Sequence, residues 1–415
     1  MTDHIIGHLT ESYSGPALII RLSSLVGSDP ENTGVRQYFI NYLKSNTLNT
    51  SLLQKIDIPP NPENCQWRED ADTKFAQRLS QAERNLQECK ASQNGSKIQS
   101  AIVSIARLHS HVGGNHNAAM TRLSSLRELV IDPAEKVSLM LAIVTENVHA
   151  GQLHKVQPEI MRFVASNEAD HYPTQVAVLK AILALSHINQ LHFQEAAKIL
   201  LSIDQLPDYP ELFTVADLTR LTVLSAMASF DRARLRKDLM NNPKFIEMPD
   251  ICRLSCDALS EFCSLKFSQA LEHVGQMISN YLFADPYLTE NVRIAAIDSI
   301  RRSAMLSYVS PYESICMNKM AKVFNLTVPQ TERDLVYLIR QGLLPAKVDT
   351  QHCILWANKS KQRENTFLLC EKVMSRFIAT SSAMSLRVAQ LQYDVIVGGK
   401  KSNSDERLTG QFNIQ

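Results

Sequence analysis

The sequence has few of the residues that interrupt helices, since only 13 of its 415 residues are glycine and 16 are proline. A chain this poor in breakers favours long helices joined by short turns over a sandwich or a barrel. It also lacks an apolar run of about 18 residues, the length that a membrane-spanning helix needs. Its first ten residues contain neither a basic segment nor a long apolar one, so we expect no signal peptide.

The chain also lacks an excess of charge of either sign, because 43 Lys and Arg residues face 42 Asp and Glu residues. This balance gives no reason to expect a nucleic acid or another polyanion as a partner. The eight cysteines are scattered without a CxxC pair, which is typical of reduced thiols packed as small apolar side chains. Reduced thiols are usual in the cytoplasm and nucleus, where we expect the protein.

No catalytic motif is complete in the sequence, which has neither a Walker loop nor a GxSxG elbow. His109-Ser110-His111 resembles the His-x-His of JAMM metallo-isopeptidases, which hold zinc with two histidines and an aspartate. Ala119 and Arg122 occupy the positions of the serine and aspartate that should follow. Because a cation cannot replace a carboxylate ligand, we expect no metal ion, no cofactor and no enzyme activity. The alternative is a metal site on His109, His111 and His116, which fits no standard spacing.

Four similar segments between residues 98 and 278 predict helical repeats. Each has a turn, a large residue, a small residue three positions later, and then a helix. The large residues are 37, 40 and 74 positions apart, so the last spacing is close to two periods: His116, Leu153, Phe193 and Phe267. The pattern is similar to tetratricopeptide helix pairs, which share one core when stacked. The alternative is four unrelated helix starts, since helix pairs are common.

The pattern changes near residue 310 and predicts a winged helix. We expect one helix to start at Ser310-Pro311, with serine as its cap and proline in its first turn. A second helix, about 329–341, ends at the glycine C-cap Gly342. Two β-like runs, 346–348 and 353–356, then form a two-stranded wing. The charged residues of the second helix cancel, which favours a protein partner over DNA: Glu332, Arg333, Asp334 and Arg340.

A heptad pattern predicts a long helix from about residue 363 to residue 395. Its apolar residues recur at two positions, which together form the seam: Phe367, Cys370, Met374, Phe377, Met384, Val388 and Leu391. Ser381 is the polar exception in this series. A seam held over four heptads is typical of a helix in a bundle or a coiled coil.

Helical repeats followed by a winged helix and a terminal helix resemble the PCI module. That family covers subunits of the proteasome lid, the COP9 signalosome and translation initiation factor three. Residues 310–325 and 338–355 are most similar to the subunit-one family of the signalosome, as are 11–15, 195–198 and 230–232. The resemblance implies a non-catalytic scaffold in a complex that removes Nedd8 from cullins through a separate JAMM subunit. The second interpretation is a scaffold subunit of the 26S proteasome lid.

We therefore predict an all-α chain with tetratricopeptide-like repeats, a small β wing and a long C-terminal helix. Its predicted parts are a helical arm and linker over 1–62, a repeat solenoid over 63–285, a PCI module over 186–358 that includes the winged helix 286–358, a bundle helix over 359–397, and a disordered tail over 398–415.

The predicted partners are other PCI and MPN subunits of the signalosome and, indirectly, cullin-RING ligases. We expect no nucleic acid and no membrane as partners. Two protein interfaces are predicted. One is the seam of the C-terminal helix. The other is the edge of the wing, which leaves backbone groups unpaired: Val348, Cys353, Ile354 and Leu355.

The purified chain is expected to show no isopeptidase activity, because Ala119 and Arg122 stand where such an enzyme needs a hydroxyl and a zinc ligand. Incubation with a Nedd8–cullin conjugate, followed by electrophoresis, measures this. Cleavage by the chain alone that is lost after chelation would contradict the prediction.

Overall fold

The structure is a computed structural model that describes residues 2–28, 32–56, 62–92, 95–166, 169–242, 252–282, 285–357, 362–393 and 395. These residues are mostly helical, with one small sheet near the C-terminus. The all-α class with a β wing is thus confirmed. None of the described helices is long and apolar enough to cross a membrane. The predicted tail, 398–415, lies outside the described residues.

Short helices form the N-terminal arm: α1 (Thr2–Ser12), α2 (Pro16–Ser28), α3 (Thr33–Asn46) and α4 (Thr50–Ile56). Their apolar faces meet in a small core of their own, in which Leu22, Phe39 and Leu43 are fully buried. The charged helix α5 (Pro62–Ala91) follows. Pro62, expected in the linker, is the first residue of this helix, where the missing amide would have no helical partner anyway.

Helix pairs follow one another from residue 95 to residue 277. The first helices of the pairs are α6 (Gly95–Arg107), α8 (Pro133–His149), α10 (Pro173–Asn189), α12 (Val215–Ser229) and α14 (Arg253–Cys263). The second helices are α7 (His116–Ser124), α9 (Leu153–Val164), α11 (Phe193–Leu201), α13 (Arg232–Leu235) and α15 (Phe267–Met277). Wider π-type turns extend α6, α13 and α15: Leu108–Val112, Arg236–Met240 and Ile278–Leu282.

The predicted repeat is confirmed, because each of its four large residues is the first residue of the second helix in a pair. The spacing of 74 between Phe193 and Phe267 is close to two periods because the pair α12–α13 lies between them. Two positions before each large residue the backbone is left-handed: Gly114 (φ 65°), Gly151 (φ 73°), Leu191 (φ 63°) and Leu265 (φ 66°). This turn ends the first helix of each pair. At the end of α10, for example, the His192 amide donates to the His187 carbonyl at 2.9 Å. The repeating sequence pattern therefore reflects one recurring backbone turn.

The C-terminal part contains α16 (Glu290–Val309), β1 (Ser314–Cys316), α17 (Met317–Val323), α18 (Val328–Arg340), β2 (Ala346–Asp349), β3 (Ile354–Ala357) and α19 (Gln362–Gln392). Helix α16 packs against α12 and α15 and joins the winged helix to the repeats. One core cluster runs from Val144 in the repeats to Leu355 in the wing. The second predicted helix and both β runs are confirmed, as is Gly342, which has a φ of 71°.

The prediction of a helix starting at Ser310-Pro311 is wrong. Ser310 is the C-cap of α16, and Ser314–Cys316 forms a strand before α17 begins at Met317. The strand is favoured because the β-branched side chain of Ile315 is buried opposite Leu355 of β3.

The prediction that the second strand of the wing forms a free edge is also wrong. The sheet has three strands in the order β1-β3-β2, so β3 lies in the middle. Leu355 pairs with Ile315 on one side and with Val348 on the other, which leaves β3 without a free edge. Of the four predicted edge residues, only Val348 lies in an outer strand. Cys353 precedes β3 in a left-handed conformation with a φ of 54°.

Gly114 is expected to tolerate no side chain, because a Cβ atom there would lie 1.9 Å from Nδ2 of Asn49. Gly151→Ala is the matched control, since that Cβ would meet nothing within 4 Å although its φ is 73°. Left-handed strain alone should lower the free energy of unfolding by about 1–2 kcal/mol in the control. Gly114→Ala should lower it clearly further in urea denaturation. Equal losses of unfolding free energy in the two variants would contradict the close packing of Asn49 on Gly114.

Candidate functional site

The C-terminal helix α19 presents the predicted seam to solvent. The helix has 31 residues, which corresponds to a length of about 46 Å. Every residue from 366 to 393 is exposed, including Phe367 at 72%, Met384 at 72% and Leu391 at 76%. The other seam residues are exposed as well: Cys370, Met374, Phe377 and Val388. The seam therefore does not fold back on the winged helix of its own chain.

The positions that flank the seam are also mostly uncharged. Val373 and Ile378 extend its apolar surface on either side and are exposed by 60% and 59%. Glu371 and Arg387 are the charged residues at these flanks. Two-stranded coiled coils usually carry Glu and Lys there, whereas a helix inside a bundle buries a wider stripe. Val373 and Ile378 were not predicted from the sequence, although both stand next to seam residues in the heptad.

The winged helix exposes an aromatic residue that was not predicted as an interface residue from the sequence. Trp356 is 52% exposed, whereas its neighbour Leu355 is fully buried. Successive side chains of a strand point to opposite faces, and this alternation could have separated the two residues. The predicted wing residues Val348, Cys353 and Ile354 are only partly buried.

A buried ionic cluster joins the N-terminal arm to the rest of the chain. Arg21 of α2 is 2% exposed and lies 3.7 Å from Asp217 and 3.5 Å from Asp285. It also donates a hydrogen bond of 2.9 Å to the Leu212 carbonyl. Tyr13 donates its hydroxyl to Asp217, and its ring lies 4.0 Å from the guanidinium. The arm, α12 and the segment before α16 thus meet at one side chain.

The charges of this cluster are balanced. Arg220 lies 3.1 Å from Asp217, so two guanidinium groups face two carboxylates. Burial acts to raise the pKa of Asp217, but Arg21, the Tyr13 hydroxyl and Arg220 hold it below its ordinary value. Burial raises the pKa of Asp285, and Arg21 offsets part of that effect. Asp217 also forms a capping box with Thr214 at the start of α12, which holds its carboxylate in place.

A second polar cluster lies where α7 starts and α8 ends. Nδ1 of His116 lies 2.9 Å from Oε2 of Glu146, and both side chains are less than 15% exposed, at 14% and 12%. His149 donates from Nε2 to the Glu211 carbonyl at 2.9 Å. The rings of the two histidines have their centres 5.2 Å apart. Burial lowers the pKa of His149 to about 4, so this ring is neutral near pH 7.

The metal-ligand set suggested as an alternative from the sequence does not come together. The ring of His109 packs edge-on against Phe75, and His111 lies against Gly15. Among the described residues, the group with the donors for a metal ion combines His116 with Glu146 and His149 instead. Glu146 and His149 stand 30 and more positions along the chain from His116, so motif spacing did not connect them.

Two family models match the chain. The model described as 26S proteasome subunit RPN7 matches residues 64–238, and the PCI domain model matches residues 278–359, which include the winged helix. Subunit 1 of the COP9 signalosome complex from Arabidopsis thaliana is 25% identical over 260 residues, which are 62% of this chain and 58% of that protein. The same subunit from Schizosaccharomyces pombe is 23% identical over 396 residues, 93% of this chain and 90% of that protein.

The chain is a relative of COP9 signalosome subunit 1. A proteasome protein is also similar: the 26S proteasome non-ATPase regulatory subunit 6 of Oryza sativa subsp. japonica is 27% identical over 180 residues, 41% of this chain and 44% of that protein. The chain spans about half the length of most curated relatives that it matches. The resemblance inferred from the sequence is thereby confirmed.

Arg21→Met is expected to lower the free energy of unfolding by about 3–5 kcal/mol, because it removes the cation between two buried carboxylates. Arg122→Met is the matched control, since the ion pair of Arg122 with Glu83 is 42% and 44% exposed. Such a surface pair contributes about 0–1 kcal/mol. Urea denaturation of both variants measures the difference. Similar losses of unfolding free energy in the two variants would show that the buried cluster stabilises the fold no more than a surface ion pair does.

Proposed function

We propose that the chain is a non-catalytic scaffold subunit of a COP9 signalosome. In this proposal the complex removes Nedd8 from cullin-RING ligases through a separate JAMM subunit, in the cytoplasm and nucleus. The observation that carries the proposal is the exposed apolar seam of α19, from Phe367 to Leu391. Soluble monomers seldom expose a contiguous apolar surface of this kind, so the seam is an interface for other subunits.

The dimensions of α19 support an interface between subunits. A helix of about 46 Å is longer than the winged helix of its own chain is able to cover. Its wide apolar stripe fits the core of a bundle to which several chains contribute helices. We therefore propose PCI and MPN subunits as the partners of the seam, with cullin-RING ligases reached indirectly.

The continuous core supports a scaffold role in a different way. One cluster of buried side chains connects the repeats with the winged helix, from Val144 to Leu355. Close-packed interiors have low compressibility, so such a core keeps its two ends at a set distance. A subunit of this kind holds its partners in position without performing chemistry.

The outer strands of the wing are proposed as a second interface. Strands β1 and β2 lie at the edges of the sheet, and edge strands are templates for strand addition. Of the residues named from the sequence, Val348 remains at this interface because it lies in β2. Ile354 and Leu355 do not, because β3 is paired on both sides. Cys353 does not, because it precedes β3 and its carbonyl accepts from the Met317 amide.

A scaffold subunit of the 26S proteasome lid is the second candidate. It is favoured by the match of residues 64–238 to the RPN7 model and by the rice relative. The signalosome is favoured by coverage, since the Schizosaccharomyces pombe subunit 1 aligns with 93% of this chain and the rice proteasome subunit with 41%. The two candidates use the same surfaces and differ in the partners that occupy them.

Phe377→Asp/Leu391→Asp is expected to abolish assembly, because two charges would enter the seam at a cost of several kcal/mol each. That corresponds to at least a roughly hundredfold loss of affinity. The matched control, Ser375→Asp/Ser382→Asp, adds the same charge to the same helix away from the seam. Affinity purification with mass spectrometry identifies the partners, and thermal melting checks that the repeats stay folded.

Recovery of signalosome subunits with wild type and control, but not with the seam variant, is the expected result. Recovery of proteasome ATPases instead would support the lid. A seam variant that assembles as well as wild type would disprove the bundle interface.

A further inference from the structure

The polar cluster between α7 and α8 has the donor set of a metal site. We propose that His116, Glu146 and His149 bind one zinc ion. One ligand atom from each of these residues lies within 4.8 Å of the other two. This inference goes beyond the scaffold function and does not depend on it.

The chemistry of the donors favours a transition-metal ion over calcium or magnesium. Two imidazole nitrogens and one carboxylate oxygen form a common zinc set, in which a fourth position is left for water. Calcium and magnesium prefer oxygen ligands throughout, so two histidines disfavour both. The site therefore suits a first-row transition-metal ion. Zinc is proposed because it binds this donor set in tetrahedral sites, and iron(II), which binds the same set in facial triads, is the competing ion.

One ring nitrogen of His149 is available to a metal ion. Its Nε2 donates to the Glu211 carbonyl at 2.9 Å, which leaves the lone pair on Nδ1. That Nδ1 atom is buried and makes no hydrogen bond within the described part of the chain. Metal-binding histidines usually donate their other N–H to a carbonyl or a carboxylate in this way. A metal ion would therefore give the buried Nδ1 atom of His149 the partner that the described residues do not supply.

The other two ligands need only a small adjustment. Nδ1 of His116 and Oε2 of Glu146 are 2.9 Å apart. Two ligands of a tetrahedral zinc ion, each with a bond of about 2.0–2.1 Å, lie about 3.4 Å from one another. Glu146 and His149 are three positions apart on α8, so both lie on one face of that helix. The buried hydroxyl of Ser110 also hydrogen-bonds to Glu146, and with zinc bound it would donate to that carboxylate as an outer group.

The ion would connect parts of the chain that are distant in sequence. His116 starts α7, while Glu146 and His149 lie in the last turn of α8. Glu211, whose carbonyl holds His149, is followed by Leu212, whose carbonyl accepts from Arg21. Zinc at this position would therefore stiffen the segment on which the N-terminal arm docks. A ligand that binds only the folded state raises its stability by mass action.

The test uses the full-length chain freed of metal with a chelator. Zinc is titrated against a competing chromophoric chelator, and cobalt is used as a spectroscopic probe of tetrahedral geometry. The expected result is one ion per chain and a melting temperature that rises with zinc. Glu146→Gln and His149→Gln should each weaken binding by at least about 10- to 100-fold and remove the rise. His109→Gln is the matched control and should bind like wild type.

Melting without metal shows that each variant is folded. Glu146→Gln keeps the size and a hydrogen-bonding oxygen of the original side chain, which favours folding. If one of the two variants is unfolded, the other decides. The proposal is overturned if wild type binds no zinc, if a folded variant binds as tightly as wild type, or if the control loses binding equally.

Discussion

A buried guanidinium group, that of Arg21, ties the N-terminal arm to the rest of the chain by charge. The arm has its own small core, separate from that of the repeats, and apolar contact by itself specifies orientation weakly. Arg21 adds a directional constraint, because it is buried between Asp217 and Asp285 and also donates to the Leu212 carbonyl. Buried charges are tolerated only with their partners in place, so a shifted arm would remove Arg21 from two buried carboxylates.

The described parts of the chain differ in whether they bury their apolar side chains within the chain. The repeats from Val144 onward and the winged helix bury their apolar side chains in one core, which the wing closes at Leu355, and the arm buries its own in a separate core. Helix α19 instead leaves its apolar side chains in solvent over its described length. In the proposed scaffold role, stability and assembly would therefore rest on different residues.

Much of the fold was predictable because it rests on local patterns. The four repeat positions were found because the left-handed turn before each second helix leaves a recognisable sequence. The wing strands and the seam were visible as periods of two and seven residues. Strand β1 was not predicted, because it has three residues and forms by pairing with a strand about 40 positions later. The central position of β3 was missed for the same reason.

The sequence alone therefore determined the helical class, the repeat, the winged helix and the surface of α19, since each is encoded by neighbours along the chain. The tertiary structure alone decided which distant polar residues meet. Tyr13 and Arg21 reach Asp217 and Asp285, and His116 reaches Glu146 and His149, over separations that no periodicity records. The physical reason is that burial makes an unpaired polar group costly, so packing selects these partners only once the helices are in place.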